Sequence, residues 1–331
     1  MKQFLLLAFI GSTFFLYGQA PDGNPSTFTT SGSGLGQWND LASWTLNAGF
    51  DADGIPDGDD SVLINNTNFT VTANAGFGYL KILSAGFANK TFTINTGISL
   101  TGYSTVESGA IDVSGGTGFT RTLKISIKGG SMSCTGLSLG TTTAAAIVLC
   151  KIESGGSLTI DNDLHLHSIS LDENVKIDAT TGTGNTLNLG GDVIGFAPLS
   201  GGVIDMGSSA GVSTFNFNGS VPQTILFDAP TDLKYSDIQV SNASGVAFEE
   251  ASSSADFTGD LTISAGGLFI DGGFDNVFIE DIINAGIYDA SGTIDMRGDF
   301  TNSGTFSSSG CNINIEGNWD NTGGTYSYFP G

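Results

Sequence analysis

Residues 51–60 read DADGIPDGDD, five aspartates in ten positions broken by two glycines and a proline. Asp51, Asp53 and Asp57, with Gly54 between them, have the Asp-x-Asp-Gly-x-x-Asp spacing of calcium loops. Calcium takes about six to eight oxygen ligands, which close carboxylates on a glycine-bent loop can supply. The expected ligand set is Asp51, Asp53, Asp57 and Asp59. Two observations favour a plain turn instead. An EF-hand places Glu about twelve positions along, where this chain has Val62, and Asp and Gly favour turns for backbone reasons alone. Both readings stand at this point.

The two histidines, His165 and His167, lie in DNDLHLHSISL. On a strand both point to one face and Leu164 and Leu166 to the other. Zinc needs a third ligand at a recognisable spacing, and His-x-His alone does not provide one, so the pair reads as solvent-facing. Polysaccharide cleavage is the enzymatic alternative. A lyase needs an Arg or Lys base beside a calcium or carboxylate cluster, and the chain's only arginines, Arg121 and Arg297, lie outside dense acidic motifs. A glycoside hydrolase needs two carboxylates at a set separation, and no pair stands out among 33 acids. No Gly-x-Ser-x-Gly, His-Glu-x-x-His or phosphate-loop motif is present. No catalytic residue is assigned.

The formal net charge is −23, from 33 acids and 10 bases. Such a chain repels phosphate backbones, which argues against nucleic acid as a partner. MKQFLLLAFIGSTFFLYGQA, residues 1–20, has a short basic start, an apolar run and small residues, the pattern of a secretory signal peptide. No second long apolar stretch follows, so no transmembrane segment is expected once the signal is removed, and the expected location is extracellular or at the cell surface. Cys134 and Cys150, sixteen residues apart, can form a disulfide across neighbouring turns of a repeat or serve as small buried apolar residues; Cys311 is left over as a buried thiol.

The chain holds 49 Gly and 23 Phe with only 13% charged residues, which favours strands around a real core. IDMRGDFTNSGTFSSSGCN from Ile294 recurs as INIEGNWDNTGGTYSYFPG from Ile313, nineteen residues on. FIEDIINAGIYDASGT from Phe278 and FTGDLTISAGGLFIDGG from Phe257 carry parts of the same pattern. Within each repeat the period is two, as in Leu158-Thr159-Ile160 and Phe215-Asn216-Phe217. Strands this short cannot make an ordinary sandwich but can stack as parallel rungs around one apolar lining. The expected architecture is therefore all-β, a right-handed parallel β-helix (β-solenoid). An entry and capping segment spans 21–75 and repeats span 76–331. Some fifteen turns of about twenty residues would give a rod of about 70 Å. A β-propeller needs repeats near forty residues, which only the 39-residue interval from Gly259 to Gly298 allows. Asn284, Asn302 and Asn321 are expected to stack at one corner, with the glycine two residues on supplying positive φ. Thr-x-Thr segments at 70–72, 91–93 and 141–143 would have to recur on every turn to make an ice- or crystal-binding face, and later turns lack them.

GQWNDLASWTLNAGFDADGIPDGDDSVLI, residues 36–64, resembles the entry module of large exported bacterial β-helix proteins, through Trp38, Trp44, Pro56, Asp59, Asp60, Val62 and Ile64. FNGSVPQTI (217–225), SDIQVSNASGV (236–246) and FTGDLTISAGGL (257–268) resemble the repeats of giant adhesin-like surface proteins that end in a sorting domain. This chain departs from that pattern at TYSYFPG, where the last repeat breaks off with an open rung. The resemblance implies a secreted or cell-surface adhesin-like scaffold, with extracellular glycans or cell-surface components as partners. It also implies that Trp38 and Trp44 close the entry end.

Overall fold

The structure, a computed structural model, describes residues 20–329 apart from 33–34, 52, 66, 85–87, 105–107, 116–120, 142, 144, 169–173, 196–202, 208–212, 227–232, 235, 250–254 and 274–275. The expected signal peptide, Ala20 apart, lies outside the described residues. The chain is all-β: among the described residues there is no α-helix, and Leu41–Ser43 forms a short 3-10 turn. No helix of the described residues is long and apolar enough to cross a membrane.

Alternation gives the strands between the two ends of the stack one dry face. Leu158 and Ile160 are buried, while Ser157 and Thr159, which alternate with them, are partly exposed. Such strands assemble into sheet I (14 strands), sheet II (8), sheet III (11) and sheet IV (4). Successive strands visit sheets I, II and III in rotation, so each returns beside the strand three before it. These pairings are parallel and keep apolar residues in columns. Leu137, Leu164 and Val193 align in sheet I, Ile125, Cys150 and Ile177 in sheet II, and Leu158, Leu187 and Phe215 in sheet III. In the last four circuits sheet IV takes the place of sheet II.

Twelve strands of sheet I, from Ser61–Asn65 to Thr325–Phe329, follow one another in parallel. Eleven steps at about 4.8 Å make the stack about 53 Å long, shorter than the repeat length implied. Register explains the difference. Ser61 pairs with Tyr79 and Ile287 with Thr305, eighteen residues on, but Ile111 pairs with Leu137 and Val193 with Ile225, 26 and 32 residues on. The surplus falls between strands, so only the outer circuits have the length seen in the repeats. Stacking also begins inside the segment expected to be only a cap: Thr27–Thr30 already pairs in parallel with Ser61–Asn65.

Asn284 donates from Nδ2 to Oδ1 of Asn302 at 2.8 Å, and Asn302 donates likewise to Asn321 at 2.5 Å. Asn284 and Asn302 also bond the carbonyls of Thr305 and Thr325. The glycines beside them act differently from expectation. Gly323 has φ +89°, but Gly286 and Gly304 do not have positive φ. They are required by contact: a Cβ on Gly304 would lie 2.1 Å from the carbonyl oxygen of Gly286 on the preceding rung.

Cys134 and Cys150 are free thiols, which corrects the disulfide alternative. One is in sheet III beside Ile160 and the other in sheet II between Ile125 and Ile177, so each occupies an apolar column rather than facing the other as a rung pair. Burial pushes both up, Cys150 to about 12. Cys311, expected to be buried, is partly exposed. Native protein at pH 8 should therefore leave Cys134 and Cys150 unmodified by a maleimide until denaturant is added, as intact-mass measurement will show. Rapid double labelling without denaturant would contradict this packing.

Candidate functional site

The entry end of the stack is closed by aromatic residues. Trp38 and Trp44 are buried, with ring centroids 5.3 Å apart in an edge-to-face arrangement, and both rest on Phe69. Each indole N–H is satisfied, Trp44 donating to the Trp38 carbonyl at 2.7 Å and Trp38 to the Pro56 carbonyl at 3.1 Å. Strand Trp44–Ala48 turns back antiparallel to Thr27–Thr30 and stands as the terminal strand of sheet I, ending its parallel run.

The acidic turn packs against this cap. Asp59 accepts the backbone N–H groups of Asp22 and Gly23 on its two oxygens, at 3.2 and 2.9 Å. Asp60 accepts those of Ser26 and Asp57, at 2.7 and 2.8 Å. Together they fasten residues 22–26 to the first regular rung. Asp51 and Asp53 make local turns, Asp51 accepting the N–H groups of Asp53 and Gly54, and Asp53 that of Ile55.

The structure divides the sequence-derived calcium set. Carboxylate oxygens of Asp22, Asp57 and Asp59 form one close group, and those of Asp51, Asp57 and Asp60 form another, each within 4.8 Å. Asp53 belongs to neither, and Asp57 is shared. Sequence reasoning missed Asp22, which lies 35 residues before Asp57, and treated Asp60 as framework. Oxygen donors of this kind suit a hard cation such as calcium, but their hydrogen bonds already give them a structural task.

Electrostatics sharpen the point. Burial, then the adjoining carboxyl of Asp59, push Asp57 up to about 8. Burial also raises Asp60 to about 6, against the pull of its two N–H donors and with help from the charges of Asp51 and Asp59. Burial works against the Asp59 charge too, but hydrogen bonds from Asp57, Asp22 and Gly23 outweigh it and hold this carboxyl below its usual range. Asp57 and Asp60 are thus more basic folded than unfolded. Their contribution to stability is complete below the unfolded value near 3.8 and is lost as pH rises through about 6 and then about 8. The melting temperature in chelator should accordingly fall between pH 5 and 9. Asp57→Asn should flatten the upper part of that fall, because an amide can donate to Asp59 without a charge. Calcium added at pH 8 should raise the wild-type melting temperature and leave Asp57→Asn unchanged if either carboxylate group holds the ion. No calcium response in the wild type would leave the turn with its structural role alone.

The other sequence candidates lie elsewhere. His165 and His167 are on the outer side of sheet I, level with Ser138 and Gly140, and Leu164 and Leu166 point inward. Arg297 pairs with Asp295 at 3.5 Å. Thr70 and Thr93 stack in sheet II, but the column continues as Ser126, Lys151 and Asp178, which ends a threonine face after two rungs. An aspartate column was also missed. Asp237, Asp260, Asp281 and Asp299 sit at the start of successive sheet III strands, each accepting the N–H of the next member, with Asn318 last. The recurring Gly-Asp pair belongs to this column, since a Cβ on Gly259 would meet the Ser236 carbonyl oxygen at 1.9 Å.

No family model, no curated protein and no solved structure matches the chain.

Proposed function

We propose that the chain is a secreted or cell-surface scaffold of adhesin type, a right-handed parallel β-helix that displays binding surfaces on its outer faces and contacts extracellular glycans or cell-surface components. One observation carries this reading: the parallel sheets keep a continuous apolar lining in register, leaving long outer faces of alternating polar positions. A rigid stack of this kind suits display, because each rung fixes the position of its neighbours. The secretory reading rests on the pattern of residues 1–20. The test is incubation of the purified chain with intact cells and with a panel of immobilised polysaccharides, reading both retention and released sugar. Retention without reducing ends or unsaturated products is expected. Product release that disappears on changing two neighbouring carboxylates would replace this function with polysaccharide cleavage.

A further inference from the structure

The last circuit of the stack is made of Ile313–Ile315, Trp319–Asp320 and Thr325–Phe329, the terminal strands of sheets IV, III and I. Register continues the apolar columns into it: Ile313 follows Ile294, Ile315 follows Met296, Trp319 follows Phe300 and Tyr326 follows Phe306. The four earlier residues are 0% exposed. Their successors are not covered: Trp319 is 37% and Tyr326 44% exposed, and Ile313 and Ile315 are partly exposed. Tyr328, which follows the buried Ser308, is 56% exposed. Side chains in core columns therefore form an open apolar face across this end of the stack.

Three features select what covers this face. Its size suits a protein partner. Half-exposed aromatic residues leave about 100 Å² each, so Trp319, Tyr326, Tyr328 and Phe329 supply about 400 Å² of the about 800 Å² per partner in a stable interface. Trp and Tyr are also the residues that most often carry the binding energy once an interface closes over them. The edge strand Thr325–Phe329 holds no charged residue to keep another strand away, and its sequence places Tyr326 and Tyr328 symmetrically about Ser327. A reversed copy of the strand thus presents the same inward side chains in the same register. The entry end offers no such fit. There sheet I runs two strands beyond Ser61–Asn65, sheet II one beyond Asn68–Val71, and sheet III none beyond Ala75–Phe77. That end is stepped and its tryptophans are buried, whereas the opposite face is one level circuit.

We propose that two copies of this chain join end to end through this circuit, on a two-fold axis that passes through Ser327 at right angles to the stack. Such an axis pairs the two Thr325–Phe329 strands antiparallel, with Tyr326 of one copy opposite Tyr328 of the other and both rings directed inward. It also exchanges the other two sides, bringing Trp319 of each copy over Ile313 and Ile315 of the other. The apolar lining then runs unbroken through both copies. The only charged residues of the circuit, Glu316 and Asp320, are acids in both copies, so association tightens as salt screens their repulsion. The pairing goes beyond display by a single chain and does not depend on what the outer faces bind. It yields one rod with every outer face present twice, which holds a polymeric ligand at two points.

Sedimentation velocity of the full chain over a range of concentrations reads the mass, and an introduced cysteine reads the axis. We expect a monomer–dimer equilibrium, tighter at high salt, with nothing heavier. Tyr328→Lys, which puts an ammonium on the open face, should weaken dimerisation by at least about tenfold. In a Cys311→Ser background, Ser327→Cys should form an intermolecular disulfide on mild oxidation. Residues facing each other on the axis have Cα atoms about 5 Å apart, within disulfide reach. Ser307→Cys, one rung back in the same column, should not cross-link, because its two copies lie about 14 Å apart. Melting curves of each variant check folding. A monomer at every concentration overturns the assignment, as does a series of species that lengthens with concentration, the mark of head-to-tail stacking. Equal cross-linking by Ser307→Cys and Ser327→Cys, or a dimer unaffected by Tyr328→Lys, overturns it too.

Discussion

Replacing Gly304 with alanine should destabilise the C-terminal circuits by about 3 kcal/mol, at the upper end of what forced overpacking costs. A Cβ there would lie 2.1 Å from the Gly286 carbonyl oxygen and within 2.8 Å of the Gly286 nitrogen, so the obstacle is backbone, which cannot rotate aside. Relief would require parting the rungs where Thr325 N–H donates to the Gly304 carbonyl and Gly304 N–H to that of Asn284. The asparagine column runs through the same corner, so its 2.5 Å step from Asn302 to Asn321 would be disturbed as well. Ser303→Ala, on the exposed residue beside it, should cost no more than about 0.5 kcal/mol. Urea unfolding of the three proteins, followed by tryptophan fluorescence with Trp319 as a local reporter, makes the comparison. A Gly304→Ala protein as stable as the wild type would mean that the rungs are not this close.

At the opposite end, Asp60→Ala should cost about 3 kcal/mol at pH 7 by leaving two N–H groups, those of Ser26 and Asp57, without their acceptors. Asp60 is fully buried, so water does not readily replace the carboxylate. Its own carbonyl still accepts from Gly78 and Tyr79, so the first rung should persist while residues 22–26 come loose. Limited proteolysis should then cut before residue 30 at a rate at which the wild type is resistant. Asp60→Asn should behave similarly at pH 7, because one amide edge faces an N–H as a donor. Its deficit should widen below about pH 6, where the wild type regains the stability of its raised carboxyl and the amide, which does not titrate, does not. A cut rate unchanged in both variants would show that other contacts hold the entry segment.

What could be read from the residues depended on whether spacing survived between rungs. The asparagine column was legible because Asn284, Asn302 and Asn321 recur at nearly constant intervals, with no insertion between them. Alternation in Leu158-Thr159-Ile160 gave the inward and outward faces directly, since the side-chain period of a strand is two. The tryptophan pair was legible because both residues fall within the entry motif and must be buried somewhere. The aspartate column of sheet III was not, because Asp237, Asp260, Asp281 and Asp299 are separated by 23, 21 and 18 residues, and their alignment exists only once the strands are paired. The acidic turn was half legible: five nearby aspartates are visible, but that Asp59 and Asp60 reach back to residues 22–26 follows from folding over a separation of more than thirty residues. The glycines were assigned the wrong cause at Gly286 and Gly304, because closeness to another rung leaves the same signature in a sequence as positive φ.

The parallel pairing of sheet I has a mechanical corollary. Its hydrogen bonds point along the stack, so tension applied between the two ends loads them in series, and circuits should peel away individually at modest force. Tension applied along a strand would instead shear a whole ladder at once. A tether anchored at one end would thus lengthen stepwise under drag, each released circuit dissipating energy before the next is loaded.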